Sequence, residues 1–461
     1  MKLGKSLLLG SAAALVATGA YAADLPSKKA APVSYVKVCD AYGAGFFYIP
    51  GTETCIKLGG RVRADYSMSA AKDVYSATSS AGVGTLKTSA ASENKFGSET
   101  RGRIDLDART ATAYGTVQAV TAIRLARTTG VLANSGADGV GTINSSSAGT
   151  TLEAAYIRFA GFTFGNAKDN FAFMPSIFYG AGHWPSFANG TNMIGYTAVL
   201  GGGLSGTLAI QDPAYTAQKP IDAAAPGDPY YAYRNAPQIN ARLDWDQSWG
   251  TLSAKAATLS YKLVDGTGTP STPAFDKSKQ VWAAGAGAKI NLPQLAAGDA
   301  LYLDGNYADG MTEYTINWGS FKSSDQSRNV GGYVFNPPSV VTYANSVETV
   351  KSWNLAANFQ HWFAPQHRTS FLATYGAWTA PASAKTAVWN GKGYFGNGTV
   401  MNFGAQYAFV PTANFEIGIE ALYARVKQDV AGAALVVNGP LTVFKKTDSN
   451  WTGRVRAERT F

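Results

Sequence analysis

The chain has 461 residues, of which 46% are hydrophobic and only 15% charged, and 39 Lys and Arg against 30 Asp and Glu give a formal net charge of +9. Soluble domains carry roughly 25% charged residues, and the basic excess here is too thinly spread to form the run or face of a nucleic-acid binder. After the N-terminus no run reaches the roughly 18 apolar residues that a membrane-crossing helix needs, which excludes a helical membrane protein.

In chain order, the first element is a secretory signal peptide. Lys2 and Lys5 form a basic start, Leu7 to Val16 a short apolar stretch, and Ala20-Tyr21-Ala22 a small-residue cleavage site, so residues 1–22 are expected to be removed. The remaining 23–461 is read as one unit with no domain linker. Cys39 and Cys55 are the only cysteines. In an exported chain two cysteines so close in sequence point to a disulfide, closing a loop that contains Gly43, Gly45, Pro50 and Gly51; two buried free thiols are the alternative.

From Ile56 onward the dominant signal has period two, the period of a strand. Arg61, Arg63 and Asp65 alternate with Val62, Ala64 and Tyr66; Arg101, Arg103, Asp105, Asp107 and Arg109 alternate with Ile104, Leu106 and Ala108. The same grammar returns around Asn240–Asp246, Leu301–Asn306, Trp353–Gln360, Asn402–Phe409, Phe415–Glu420 and Trp451–Phe461. A face so charged must touch water. Only a closed barrel lets a sheet cross lipid with all its backbone groups paired, and lipid outside with water inside demands apolar-out, polar-in strands. A soluble sandwich shares the alternation, but one apolar core rarely grows past about 300 residues.

Counting gives roughly sixteen or seventeen strands, the doubt lying at Phe159 to Phe164, where Gly161 makes either a bend or a turn. Barrels of this kind have even strand numbers, so the expected fold is all-β: a transmembrane antiparallel barrel of about 16 strands, wide enough for an aqueous channel. Long polar stretches rich in Ser, Thr, Ala, Gly and Pro (67–99, 128–149, 211–237, 265–279, 322–347 and 427–448) alternate with short turns, the asymmetry of loops on one side and turns on the other.

The block Cys39 to Asp65, CDAYGAGFFYIPGTETCIKLGGRVRAD, resembles the N-terminal signature of the alphaproteobacterial outer-membrane general porins. The Ala-Tyr-Ala cleavage site followed by Ala23-Asp24-Leu25-Pro26, the segment Ala154 to Gly165, AAYIRFAGFTFG, and the terminal Phe461 agree with it. The resemblance implies a trimeric diffusion channel of the cell outer membrane, bathed in lipid and lipopolysaccharide, that passes small hydrophilic solutes and ions. It implies that the loop at 166–192 folds inward as a constriction, and that Phe461 is the assembly signal. Related porins often set several acids in that loop; here Asp169 is the only one, so the opposed-charge field is expected to be weak. Arg61, Arg63, Arg101, Arg103, Arg109 and Arg124 are the candidate pore-wall cations, forming a basic ladder if the first two strands pair. Lys168 and Asp169 are the loop residues expected to face a passing solute, with a local ion pair as the alternative. Phe171, Phe173, Phe178 and Tyr179 are expected to pack the loop onto the wall, and the tryptophans near strands to form interfacial girdles.

His183, His361 and His367 are the only histidines and none lies in a catalytic or metal motif. No enzyme activity, metal or cofactor is expected. A substrate-selective channel is the alternative function, and a non-conducting surface barrel a weaker one.

Overall fold

A computed structural model describes residues 37–69, 74–80, 83–89, 96–130, 146–179, 190–212, 221–222, 230–234, 236–265, 276–316, 339–343, 346–383, 388–389, 392–393, 396–429 and 447–461. The signal-peptide segment 1–22 and His183, Trp184 and Trp318 lie outside the described residues.

Sixteen strands form one closed antiparallel barrel. The first five are β1 (Cys55–Ser69), β2 (Phe96–Thr112), β3 (Gly115–Thr129), β4 (Ser146–Phe159) and β5 (Phe162–Ala167). Then come β6 (Thr191–Gly201), β7 (Leu204–Gln211), β8 (Gln238–Gln247), β9 (Gly250–Asp265) and β10 (Asp276–Asn291). The last six are β11 (Ala300–Asp309), β12 (Lys351–Ala364), β13 (His367–Thr379), β14 (Gly398–Thr412), β15 (Phe415–Gln428) and β16 (Thr447–Thr460). Each pairs with its sequence neighbours, and β1 pairs back onto β16 from Arg61↔Thr460 to Ser69↔Thr452. Phe461 completes the seam: its amide donates to the Gly60 carbonyl at 3.0 Å, and the Gly60 amide donates to the Phe461 carbonyl at 3.1 Å. No sheet edge is left there for lipid to meet.

Gly161 makes a turn, which resolves the one uncertain strand. Phe159 pairs with Phe162, and between them Ala160 and Gly161 both take positive φ, 49° and 87°, as a two-residue hairpin turn matched to strand twist requires. The connections after β2, β4, β6, β8, β10, β12 and β14 are short, and the others are long. The short-turn end is therefore the periplasmic end.

The outward face carries the expected apolar set, with Leu58, Val62, Ile104, Leu208, Leu243, Leu355 and Ile419 all exposed. Aromatic rings gather near both ends. Trp245 meets Trp249 at 5.9 Å at the turn end, and Phe403, Tyr423 and Trp451 lie within 5.6 Å of one another at the loop end. Amphipathic rings settle at the headgroup level. Trp378 departs from this expectation: it is 1% exposed, points inward, and donates its indole N–H to the Gly396 carbonyl at 2.9 Å.

The inward face is not uniformly polar. Ala257, Leu259, Tyr261 and Leu263 of β9, Val281 and Ala283 of β10 and Ala308 of β11 are buried inward-facing apolar residues. They are covered from inside by Phe171, by Met311 and Tyr314 at a short 3-10 turn after β11, and by Val340. Part of the lumen is thus filled with protein.

An arginine on the lipid face at mid-depth of a barrel costs about 2–4 kcal/mol. Val62→Arg, at the middle of β1 and facing out, should lower the folding free energy in phospholipid vesicles by about that much. Equilibrium denaturant titration measures it, and an unchanged midpoint would mean this face does not meet hydrocarbon.

Candidate functional site: a basic wall facing an inward-folded loop

Three strand pairings bring the wall cations together. In the β1–β2 register Arg61 lies across from Arg103 and Arg63 across from Arg101; in the β2–β3 register Arg103 lies across from Arg124. The β1–β16 register then sets Glu458 opposite Arg63, and Arg456 opposite Asp65. Five of the six expected arginines thus share one patch of the inner wall. Arg109 does not. It lies nearer the turn end, opposite Cys55, and binds Asp107 at 2.7 Å. Arg454 and Arg456 join the patch although the alternation at the C-terminus had not marked them as functional.

Like charges this close need counter-charges. Glu458 accepts from Arg63 at 2.5 Å and lies 3.8 Å from Arg61; Glu99 holds Arg101 at 2.6 Å; Asp105 holds Arg103 at 2.7 Å. Asp65 takes a bidentate pair of bonds from Arg456, at 2.6 and 2.8 Å, the strong planar geometry of guanidinium and carboxylate. Glu153 serves two cations, Arg103 at 3.1 Å and Arg124 at 3.5 Å. It does so through a β-bulge. Ala122 pairs with Ala154 but Ile123 pairs with Leu152, so Glu153 is an extra residue in β4. By the alternation of Ala155 and Ile157 it belongs on the lipid face; the bulge turns it into the lumen. The patch as a whole sets seven guanidiniums against five carboxylates, leaving a small positive excess.

The loop between β5 and β6 lies along the opposite part of the wall. Asp169 starts it. Its carboxylate is 2% exposed and accepts from the Phe171 amide at 2.7 Å, Gln211 at 2.9 Å, the Tyr314 hydroxyl at 3.1 Å and Asn240 at 3.3 Å. Asp169 therefore does not face a passing solute as expected, nor does it pair with Lys168. Burial pushes its carboxyl up, against the pull of these donors. It anchors the loop root to β7, β8 and the turn after β11. Lys168 beside it is exposed. Arg242 then donates to the carbonyls of Asn170 and Ala172, at 3.3 and 3.0 Å. The Phe171 ring lies 4.9 Å from Lys255, which is fully buried in a 2.6 Å pair with Asp304.

The four aromatics pack the loop onto the wall as expected. Phe173 fits over Gly287, where a Cβ would meet its ring at 2.4 Å, and Phe178 packs against Leu372 and Leu422. Tyr179 is the far anchor. Its amide donates to Glu420 and its hydroxyl to Glu416, each at 2.5 Å, and its carbonyl accepts from Arg454 at 2.6 Å and Arg456 at 3.3 Å. Gly418 makes room for it, since a Cβ there would meet the Tyr179 hydroxyl at 2.0 Å. The described part of the loop, residues 168–179, thus runs from β7 round to β16 and stops where the arginine patch begins. The side chains of Arg61, Arg103, Arg124 and Asp105 keep 25–39% exposure, whereas Lys255 and Asp304 under the loop have none. Among the described residues, the wall left uncovered by the loop is the basic one. The inner-strand glycines Gly287 and Gly418 form the loop's seat, and nothing in their sequence neighbours says which ring fills them.

A family model described as the Porin subfamily matches residues 24–454. Porin Omp2b of Brucella abortus is 30% identical over 335 residues, covering 69% of this chain and 80% of the relative, and Porin Omp2b of Brucella suis is 30% identical over 331 residues with the same coverage. Among solved structures, the outer membrane channel DcaP of Acinetobacter baumannii shares the fold, with a TM-score of 0.56 at 14% identity over 90% of this chain and 99% of that one.

One buried acid beside the loop anchor meets no cation among the described residues. Glu313 neighbours Tyr314, is 2% exposed, accepts from the Ser339 hydroxyl at 2.9 Å, and forms no ion pair among the described residues. Burial pushes its carboxyl up to about 8 from an ordinary 4.5. The folded protein then holds this proton more tightly than the unfolded chain does. The stability contributed by this group is full below about 4.5, is lost as pH rises toward about 8, and changes no further above. Glu313→Gln should flatten that fall. The temperature at which the barrel loses its folded gel mobility, followed between about pH 5 and 8, checks this; equal slopes in variant and parent would exclude Glu313 as the cause.

Proposed function

We propose, from the premise that this chain belongs to the porin family, that Arg61, Arg63, Arg101, Arg103 and Arg124 form one side of the constriction of a passive outer-membrane channel, and that the loop carrying Lys168 and Asp169 forms the other. The channel passes small hydrophilic solutes and ions through the outer membrane. The observation that carries the reading is a contrast on the inner wall among the described residues: Lys255 and Asp304 under the loop are fully buried, whereas Arg61, Arg103 and Arg124 keep contact with the lumen. A solute squeezed there meets ordered cations, each matched by a nearby carboxylate, rather than a single-sign field.

Ion selectivity then follows from a small difference. A unit charge ~7 Å from a passing ion in water is worth about 0.6 kcal/mol, close to RT. With seven cations against five anions on the wall, the preference is near neutral or mildly for anions. Lys168 adds to that sign, while Asp169, being buried, adds little. The chain assembles as a homotrimer with lipid and lipopolysaccharide around it, and Phe461, at the barrel seam, acts as the assembly signal. No cofactor takes part in diffusion.

The test is single-channel recording of the purified, folded protein in planar bilayers under a salt gradient. Closure in three equal steps is expected for the trimer. Arg61→Ser with Arg63→Ser should raise the cation-to-anion permeability ratio by about twofold or more, and Glu153→Gln should move it the opposite way. Reversal potentials that stay fixed in both variants would show that this wall does not line the conducting path.

A further inference from the structure

Turnward of the arginine patch, the N-terminal segment folds back onto the lumen face of β1. Cys39 and Cys55 are joined, and both are buried, at 0% and 1% exposure. Cys55 has the inward parity of Arg61 and Arg63, and it stands opposite Arg109, so the bond ties the segment to the inside of the barrel. Local pairing shapes the loop: Val38 bridges Phe47, Phe47 and Tyr48 pair with Ile56 and Cys55, and the Cys39 amide donates to the Phe46 carbonyl at 2.9 Å. Phe46, 4% exposed, packs on the disulfide with Tyr42 and Tyr48.

What this loop does to nearby charge differs from what the carboxylates do higher up. The Arg109 guanidinium lies 4.9 Å from the Phe46 ring and 5.6 Å from Tyr42, and the Lys57 ammonium lies 5.9 Å from Phe46. The Lys57 stem crosses Gly45, where a Cβ would sit in ordinary contact, 3.4 Å from its Cε. An aromatic face orients a cation without cancelling its charge. Lys57 is exposed and makes no ion pair among the described residues, because Asp107, its cross-strand neighbour, is already held by Arg109 and Gln118. The loop's own acids, Asp40 and Glu53, are exposed and pair with neither cation.

We propose that the disulfide-closed loop Cys39–Cys55 is a second selectivity element, at the periplasmic mouth, that holds Lys57 as an uncompensated cation in the path of small anionic solutes. It rests on the open-channel reading and adds a further charge to the route. The pore is then asymmetric along its axis, with a nearly balanced constriction followed by a positive mouth, and such asymmetry rectifies ionic current. The Debye length is about 10 Å at 0.1 M salt and about 3 Å at 1 M, so the rectification belongs to low salt.

The experiment is single-channel recording of the mature protein at 0.1 M and 1 M salt. Current at one polarity is expected to exceed the other by about 1.5- to 2-fold at 0.1 M, and the difference to vanish at 1 M. Lys57→Glu should reverse the asymmetry. A membrane-impermeant phosphine reductant added on the turn side alone should abolish it, while doing nothing further to Cys39→Ser with Cys55→Ser. Symmetric currents in the parent, or rectification unchanged by Lys57→Glu, would overturn the proposal and leave the loop as a brace. A folded barrel with no current at all would overturn the channel reading and this proposal together.

Discussion

Hydrocarbon offers no partner for a backbone amide, and every other feature of this molecule follows from that demand. Sixteen strands must close on themselves, and the seam between β1 and β16 is where closure is decided. The reciprocal bonds of Gly60 with Phe461 carry the ladder to the last residue of the chain. Once the ring is closed, the two-residue period divides side chains between lipid and lumen without exception at the seam. The pairing that satisfies the backbone is also the pairing that stacks Arg61, Arg63, Arg101 and Arg103 into adjacent rungs. The electrostatics of the interior are therefore a by-product of register: a one-residue slip of β1 would carry Arg61 and Arg63 to the lipid face, and one of β2 would do the same to Arg101 and Arg103.

A barrel this wide has more interior than a selective passage needs, and the chain fills the surplus unevenly. On the β7–β15 side, the inward loop and the turn after β11 cover the wall and bury its polar groups in mutual bonds, of which the Asp169 cluster and the Lys255–Asp304 pair are the densest. Burying Asp169, Lys255 and Asp304 is tolerable because each of these three finds partners. On the β1–β4 side, among the described residues, only the disulfide-closed segment at the turn end lies on the wall. Two chemistries thus coexist on one sheet: a half that behaves as the core of a soluble domain, with Leu259 and Leu263 turned inward, and a half that behaves as an aqueous surface.

The division between what was legible in the sequence and what was not follows the same line. Period two in Arg61–Tyr66 and Arg101–Arg109 revealed strands, faces and pairing, because lipid outside and water inside write themselves directly into alternation. The strand at Phe162–Ala167 was ambiguous only because its turn is two residues long and includes a non-glycine at positive φ. The loop was legible as an element but not in its contacts. Asp169 looked like a solute-facing acid, since sequence does not show that Gln211, Asn240 and Tyr314, far away in the chain, converge on it. Arg454 and Arg456 were visible as an inward face, yet their membership of the basic wall depends on closure between the two ends of the chain. Glu153 was invisible as a lumen residue, because simple parity sends it outward.

That last residue bears on how length can vary in such a chain. In a regular strand, deleting one codon shifts every later side chain to the wrong face, so strand interiors ordinarily accept substitutions but not deletions. At Glu153 the ladder already carries one residue too many: Ala154 and Leu152 are in register with neighbouring residues of β3. Losing that codon would restore a plain ladder and leave Ala155, Ile157 and Leu152 on the faces they hold now. The bulge is thus a point inside a membrane strand where descendants of this chain can differ in length by one residue without refolding the barrel, and where the difference registers as a single negative charge in the lumen.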